Sequence, residues 1–193
     1  MADVIVVGGG PAGLSAALFL AKSGRKIVVI DSGRSLIRRA NLRNYLGFPD
    51  GLPGNDLLAR GRQQVTAFGG EIVEAKNFEV EKTERGFAVR IAEGDLSFTA
   101  RAMILATAYG VEIAEKLGAK LTRGSQAQAV RAIEVDREGR SSVDGLWAAG
   151  VVAGTPVQSI VAAGDGARVA VNLLTQLRGS PYVDHDVLAG TRS

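Results

Sequence analysis

The sequence predicts an α/β fold in which a parallel sheet is flanked by helices and continues into an antiparallel β-meander. Residues 4–7 and 27–30 are β-branched runs typical of strands buried on both faces, and an apolar helical pattern lies between them. Two such strands joined by one helix run parallel with a right-handed crossover. Alternating polar and apolar residues over 77–99 predict the meander.

The remaining elements follow from start and stop signals. Pro11 opens the first helix and Gly24 ends it, and Asn55 is the predicted N-cap of the next helix. Segment 109–145 has only a weak pattern. The other predicted elements, in chain order, are a helix over 56–68, strands over 71–73 and 103–106, a short helix over 111–117, a strand over 146–149 and a closing helix over about 156–177. Trp147, in the last strand, is expected in the core.

Composition predicts one globular domain over residues 1–193, with 46% hydrophobic and 22% charged residues. No apolar run reaches the ~18 residues of a membrane span, and no leader precedes the first strand, so a cytoplasmic location is expected. The formal charge of +3 suits an anionic ligand. The densest basic group comprises Arg34, Arg38, Arg39 and Arg43, and it lacks the aromatic residues of a nucleic-acid site. It is either a solvated face or a docking surface for an acidic redox partner.

Cysteine is absent from the sequence, which excludes disulfides, thiolate metal sites and cysteine nucleophiles in these 193 residues. The single histidine, His185, lies beyond the last predicted helix, and no spacing around it predicts a metal site or a Ser-His-Asp triad. We expect residues 181–186 to form a solvated tail. The alternative is that this tail folds over a dimer partner and brings His185 or Tyr182 near its site.

The strongest functional signal is a G-x-G-x-x-G motif formed by Gly8, Gly10 and Gly13 between the first strand and helix. Its glycines permit a tight turn, close approach of backbone to a pyrophosphate, and close helix–strand packing. Asp31 ends the second strand, 18 residues after Gly13, where its carboxylate can accept hydrogen bonds from an adenosine ribose. Residues 3–31 therefore predict the ADP-binding unit of a Rossmann-like domain, and the acid disfavours NADP. The alternatives are a simple tight turn and a turn-capping role for Asp31.

Further motifs extend along nearly the whole chain, in residues 3–17, 44–48, 54–58, 105–108, 145–150 and 158–167. With them the sequence resembles the thioredoxin reductase-like FAD proteins of the pyridine nucleotide-disulfide oxidoreductase family. The resemblance implies a Rossmann-like FAD-binding domain, with an extended FAD whose ring lies near the start of the last helix. The residues assigned to cofactor binding are Gly8, Gly10, Pro11, Ala12, Gly13, Asp31, Ser32, Gly33, Asn44, Lys76, Thr107, Ala108, Gly150, Val151, Gln158 and Ser159. No catalytic residue and no metal ligand is assigned.

The sequence departs from the family pattern at the flavin half of the predicted site. Val151 stands where the family has Asp, Ala108 ends the Ala-Thr-Gly motif, and residues 38–40 replace a Gly-Gly-Gln stretch. The family's NADPH domain would separate residues of about 1–110 from 140–193, but only 109–145 lies between these halves, and the redox Cys-x-x-Cys is missing.

These features predict an FAD-binding flavoprotein that acts as an oxidoreductase or electron carrier. Its flavin would be reduced by an external small-molecule or protein donor, without dithiol chemistry. The alternatives are a non-catalytic flavin-binding module and a simple NAD-binding domain. A lone FAD domain exposes the apolar surface on which the second domain would pack, so a homodimer is expected.

Overall fold

The computed structural model describes residues 1–92, 94–126 and 129–187. The helices are α1 (Pro11–Lys22), α2 (Gly54–Ala67), α3 (Glu112–Lys116) and α4 (Ser159–Arg178), with 3₁₀ turns at Leu36–Arg39 and Gly150–Ala153. The strands are β1 (Ala2–Val7), β2 (Ile27–Asp31), β3 (Asn41–Leu42), β4 (Leu52–Pro53), β5 (Glu71–Glu74), β6 (Phe78–Thr83), β7 (Gly86–Ile91), β8 (Leu96–Leu105), β9 (Leu121–Gln126), β10 (Ala129–Ile133) and β11 (Leu146–Ala148).

Within those ranges, seven strands form one mixed sheet in the order β5-β2-β1-β8-β7-β6, and β11 also pairs with β8. The long strand β8 joins the two kinds of pairing. Its second half runs parallel to β1 on one edge and to β11 on the other, while its first half runs antiparallel to β7. The predicted α/β fold, with a parallel sheet, flanking helices and a meander, is confirmed.

Both faces of β2, β11 and the second half of β1 are buried, as their apolar runs predict, whereas the parallel edge strand β5 is partly exposed. On β1, Val4 and Val6 face a cluster that contains α1, α2 and α4, whereas Ile5 and Val7 face a second cluster with the meander and α3. Trp147 is 2% exposed and belongs to the first cluster, so its predicted core position is confirmed. The sheet is therefore rigid at its centre, where the glycine motif begins.

Two predicted helix starts are wrong, and no side chain caps either of the observed ones. Asn55 is not an N-cap: α2 already begins at Gly54, whose N–H donates to the Ala40 carbonyl at 2.8 Å. A Cβ atom at Gly54 would lie 1.8 Å from the Ile37 carbonyl oxygen, so the helix start is packed closely against the 3₁₀ turn. The closing helix begins at Ser159 rather than near residue 156, since Gln158 is extended.

The weakly patterned segment 109–145 contains more structure than the sequence predicted. Besides the short helix α3, it forms an antiparallel hairpin of β9 and β10. Ala132 and Ile133 of β10 are buried, and the strand packs against the 3₁₀ turn at residues 150–153. Polar residues interrupt β9 (Leu-Thr-Arg-Gly-Ser-Gln), which hid its strand character.

The tail after α4 contacts its own chain through Tyr182 and Asp184, so the prediction of a solvated tail is wrong for these two residues, whereas Val183 between them is 69% exposed. The Tyr182 side chain packs against the first core cluster, and its N–H donates to Thr175 Oγ1 at 3.1 Å. Lys22 Nζ at the end of α1 binds Asp184 at 2.8 Å and Asp186 at 2.7 Å. Hydrogen bonds to these two carboxylates raise the pKa of the Lys22 ammonium above its usual range. No helix in the described ranges has the length and apolarity needed to span a membrane.

Candidate nucleotide site

A cavity of about 380 Å³ lies at the carboxyl ends of β1, β2 and β8. In open α/β sheets this edge is where ligands bind. Most residues assigned from the sequence meet here. Those that line the cavity are Gly8, Gly10, Pro11, Ala12, Asp31, Ser32, Lys76, Thr107, Ala108, Val151 and Ser159.

The glycine motif has the close contacts its residue types suggest. Gly8 has φ +112°, and a Cβ atom there would lie 2.3 Å from the Ala106 carbonyl oxygen. A Cβ atom at Gly13 would lie 1.8 Å from the Gly8 carbonyl oxygen, so Gly13 packs the helix onto the turn without lining the cavity. Gly10 borders open space, since a Cβ atom there would meet only Ser35 Oγ, at 3.5 Å. The turn and the helix are thus held together while the wall at Gly10 stays free.

The N-terminus of α1 opens into this cavity. Gly10 is its N-cap residue, no side chain caps it, and its first turn holds no acidic residue. The first N–H groups of a helix have no partner within the helix, and the helix dipole makes that end positive. This end can therefore bind a pyrophosphate through backbone donors.

Asp31 lies where the fingerprint places it, but its carboxylate already has several partners. Oδ1 accepts hydrogen bonds from the N–H groups of Gly33 at 3.0 Å and Gly9 at 3.3 Å. Oδ2 accepts from the Arg62 guanidinium of α2. The turn-capping role is therefore observed in Asp31, and an acceptor direction is still left for a ligand. Arg62 was missed because a contact between residues so distant in the chain has no local sequence signal.

The N-terminus of α4 also opens into this cavity. Ser159 is buried and lines the cavity, and α4 also lacks a side-chain cap and an acid in its first turn. Gln158 does not line the cavity. Its Oε1 accepts a hydrogen bond of 3.0 Å from Asn44 Nδ2, so these two assigned residues pair with each other. Gly33 and Gly150 also lie outside the lining.

Comparison with protein families identifies this arrangement. The family model described as "Pyridine nucleotide-disulphide oxidoreductase" matches residues 2–108. The chain belongs to this family. Among curated relatives it is 34% identical over 114 residues to thioredoxin reductase 1 of Saccharomyces cerevisiae, which covers 54% of this chain and 36% of the yeast protein. Over 98 residues it is 32% identical to NADPH-dependent thioredoxin reductase 3 of Arabidopsis thaliana, covering 47% of this chain and 18% of the plant protein. The match spans about a third or less of these relatives' length.

Solved thioredoxin reductases share the fold of this family member. A structure from Gloeobacter violaceus superimposes with a TM-score of 0.76 at 22% identity and covers 97% of this chain and 99% of that chain. The atypical thioredoxin reductase TRi from Desulfovibrio vulgaris Hildenborough gives 0.77 at 17% identity, covering 93% and 99%. The fold is thus the Rossmann-like one of the FAD-binding domain in thioredoxin reductase-like proteins.

Two departures from the family pattern lie on the cavity wall. Val151 lines the cavity, and the 3₁₀ turn that contains it is hydrogen-bonded to Asp165 of α4. Asp165 Oδ2 accepts a 2.7 Å hydrogen bond from the Gly150 N–H, while Oδ1 accepts from Arg168 Nε at 3.0 Å and Nη2 at 2.8 Å. The buried carboxylate is thereby paired and hydrogen-bonded, as a buried charge requires. Asp165 belongs to a recognised motif, but its role had not been predicted.

The second departure is Ala108, which has φ +56°. An L-residue in this left-handed region is strained, whereas glycine is not. The chain therefore keeps the backbone conformation suited to the glycine of the Ala-Thr-Gly motif. Thr107 supports the turn, because its Oγ1 donates to the Gly110 carbonyl and the Gly110 N–H donates to the Thr107 carbonyl at 3.1 Å.

Charges of both signs line the cavity. Besides Asp31 and Lys76, the wall includes Arg34 and Glu112, two residues not assigned from the sequence. Apolar lining residues contributed by the last part of the chain are Val151, Val157 and Ala162. The site therefore offers polar and cationic groups for a nucleotide and an apolar region for a flat ring.

Proposed function

We propose that this chain binds FAD in the cavity at the carboxyl ends of β1, β2 and β8 and acts as an oxidoreductase or electron carrier whose flavin is reduced by an external donor. The observation that carries the proposal is the convergence of two uncapped helix N-termini, those of α1 and α4, on one cavity. A simple dinucleotide-binding turn needs only the N-terminus of α1. The N-terminus of α4 adds a second positive helix end, which can stabilise negative charge on another part of the ligand.

The residues present fit the two halves of FAD. The turn at Gly8 and Gly10 and the start of α1 would hold the pyrophosphate, and Asp31 would accept from the adenosine ribose. Bound FAD supplies reversible two-electron transfer. The positive N-terminal end of α4, near Ser159, would stabilise a negative charge on the reduced flavin. A stabilisation of ~1–2 kcal/mol would raise the two-electron reduction potential of the flavin by roughly 20–45 mV.

The electron donor has to come from outside the described cavity. A dithiol relay needs cysteines, and the sequence has none. A nicotinamide nucleotide or a reduced protein remains, and Arg34, which lines the cavity and belongs to the densest basic group of the sequence, suits an acidic protein donor. One observation favours the alternative of a non-catalytic flavin-binding module: Val151, which lines the cavity where the family pattern has Asp, offers no general acid or base.

An absorbance spectrum of the purified protein, with and without added FAD, tests the proposal. We expect a flavin band, followed by bleaching in an anaerobic titration with NADH, NADPH or reduced ferredoxin. The absence of a flavin band after incubation with excess FAD would contradict FAD binding. A flavin band without turnover between any donor and acceptor would instead support the non-catalytic module.

Gly10→Asp separates ligand binding from folding. Aspartate is a good N-cap, and the φ of −83° at Gly10 accepts an L-residue, so we expect the free protein to unfold at higher temperature. The same carboxylate repels a pyrophosphate, so the FAD bound per protein should fall sharply. Gly10→Ala is the control, with a smaller loss of FAD. Stoichiometric FAD in Gly10→Asp would contradict the assigned position of the pyrophosphate.

A further inference from the structure

The Asp31 carboxylate lies at the end of β2 and is 7% exposed, so its hydrogen bonds determine its orientation. Its Oδ1 accepts from two backbone N–H groups, of Gly9 and Gly33. Each carboxylate oxygen has about two acceptor directions. Oδ1 is therefore saturated, and any ligand hydroxyl has to bind at Oδ2.

Oδ2 is the atom bound by Arg62 from α2. The other guanidinium nitrogen, Nη1, binds Glu74 Oε1 at 3.0 Å. Asp31 and Glu74 are direct neighbours in the parallel register of β2 and β5, so the single positive charge of Arg62 bridges two adjacent carboxylates. Its side chain is only 26% exposed and does not line the cavity.

We propose that Arg62 is a positioning residue that sets the preference of the site for a ribose hydroxyl. By occupying one side of Oδ2, its guanidinium leaves a single acceptor direction open to the cavity. It also prevents repulsion between Asp31 and Glu74 from turning the carboxylate away. The inference rests on the proposed nucleotide site and adds to it a residue from a different element.

The test is calorimetric binding of ADP and 2′-deoxy-ADP to the full chain. Wild-type protein should prefer ADP by about tenfold, as for one hydrogen bond to a charged acceptor. In Arg62→Gln this preference should fall to about threefold or less, while the affinity for 2′-deoxy-ADP stays within about twofold. Arg62→Lys, which keeps the charge, should recover part of the preference. Arg60→Gln, also on α2 but not in contact with Asp31, is the control and should behave as wild type.

If Arg62 had only a structural role, Arg62→Gln would lower the affinities for ADP and 2′-deoxy-ADP by the same factor, and that result would overturn the proposal. An unchanged preference in Arg62→Gln overturns it as well. If Arg62→Gln does not fold, the Arg62→Lys variant is the deciding test. A preference for ADP over 2′-deoxy-ADP and nucleotide affinities equal to those of the wild type would show that the guanidinium geometry has no role, which overturns the proposal. Wild-type protein that binds neither nucleotide nor FAD contradicts the proposed function itself, whereas FAD binding with an unaltered ADP preference contradicts only the role of Arg62.

Discussion

Ala108 is the clearest strained residue in the cavity wall. Its φ of +56° lies in the region where an L-residue costs about 1–2 kcal/mol. Replacing it by glycine removes that cost. Glycine also increases the conformational entropy of the unfolded chain, which lowers the stability of the folded state by about 0.4–1 kcal/mol. We expect Ala108→Gly to raise the free energy of unfolding by about 0.5–1 kcal/mol, measured by urea denaturation of the apoprotein.

The matched control is Ala59→Gly, at an exposed position within α2. Glycine there costs about 1 kcal/mol in helix propensity, so the two variants should shift stability in opposite directions. A destabilised Ala108→Gly would show that the surrounding wall relieves the strain at this residue.

The crossing of α1 and α4 is the element-scale feature on which the site depends, because both helices begin at the cavity. Gly166 allows the crossing: a Cβ atom there would lie 2.0 Å from the Ala12 carbonyl oxygen. We expect Gly166→Ala to destabilise the protein by about 3 kcal/mol, since helix backbone has to move. Binding of FAD should weaken as well, because Ala12 lies on the cavity wall.

Gly164→Ala, on the same helix, is the control for this prediction. A Cβ atom at Gly164 meets no heavy atom within 4 Å, so alanine should stabilise the helix by about 0.8–1 kcal/mol. Thermal unfolding of the two variants distinguishes close packing from helix propensity. Equal effects of the two substitutions would contradict the tight crossing.

How far the sequence predicts these elements depends on how local their causes are. The β1–α1–β2 unit follows from a continuous stretch of pattern, and it was predicted closely. The start of α2 is set by the Ala40 carbonyl and the Ile37 backbone, which no capping rule includes. The same limit applies to the site: Gly8 and Asp31 follow from the motif, while Arg62 and Asp165 depend on folded contacts.

At the scale of the whole molecule, we predict a homodimer. Several large apolar side chains are exposed, among them Leu46 at 86% and Val130 at 72%, the latter on the hairpin of the segment that is short compared with the family pattern. Burying them against a second copy would remove apolar surface from water. Sedimentation equilibrium should give twice the chain mass of 20.1 kDa. A monomer at micromolar concentration would contradict this prediction.

The pairing of β11 with β8 has a consequence for how such chains diversify. Ala148 lies beside Leu105 in the sheet, so the segment between them leaves the sheet and returns to it at neighbouring strands. In this chain the connecting segment contains the helix α3 and the β9–β10 hairpin. Because both anchor strands are held by the rest of the sheet, this is the position at which a whole module can be gained or lost in evolution while the nucleotide cradle keeps its shape.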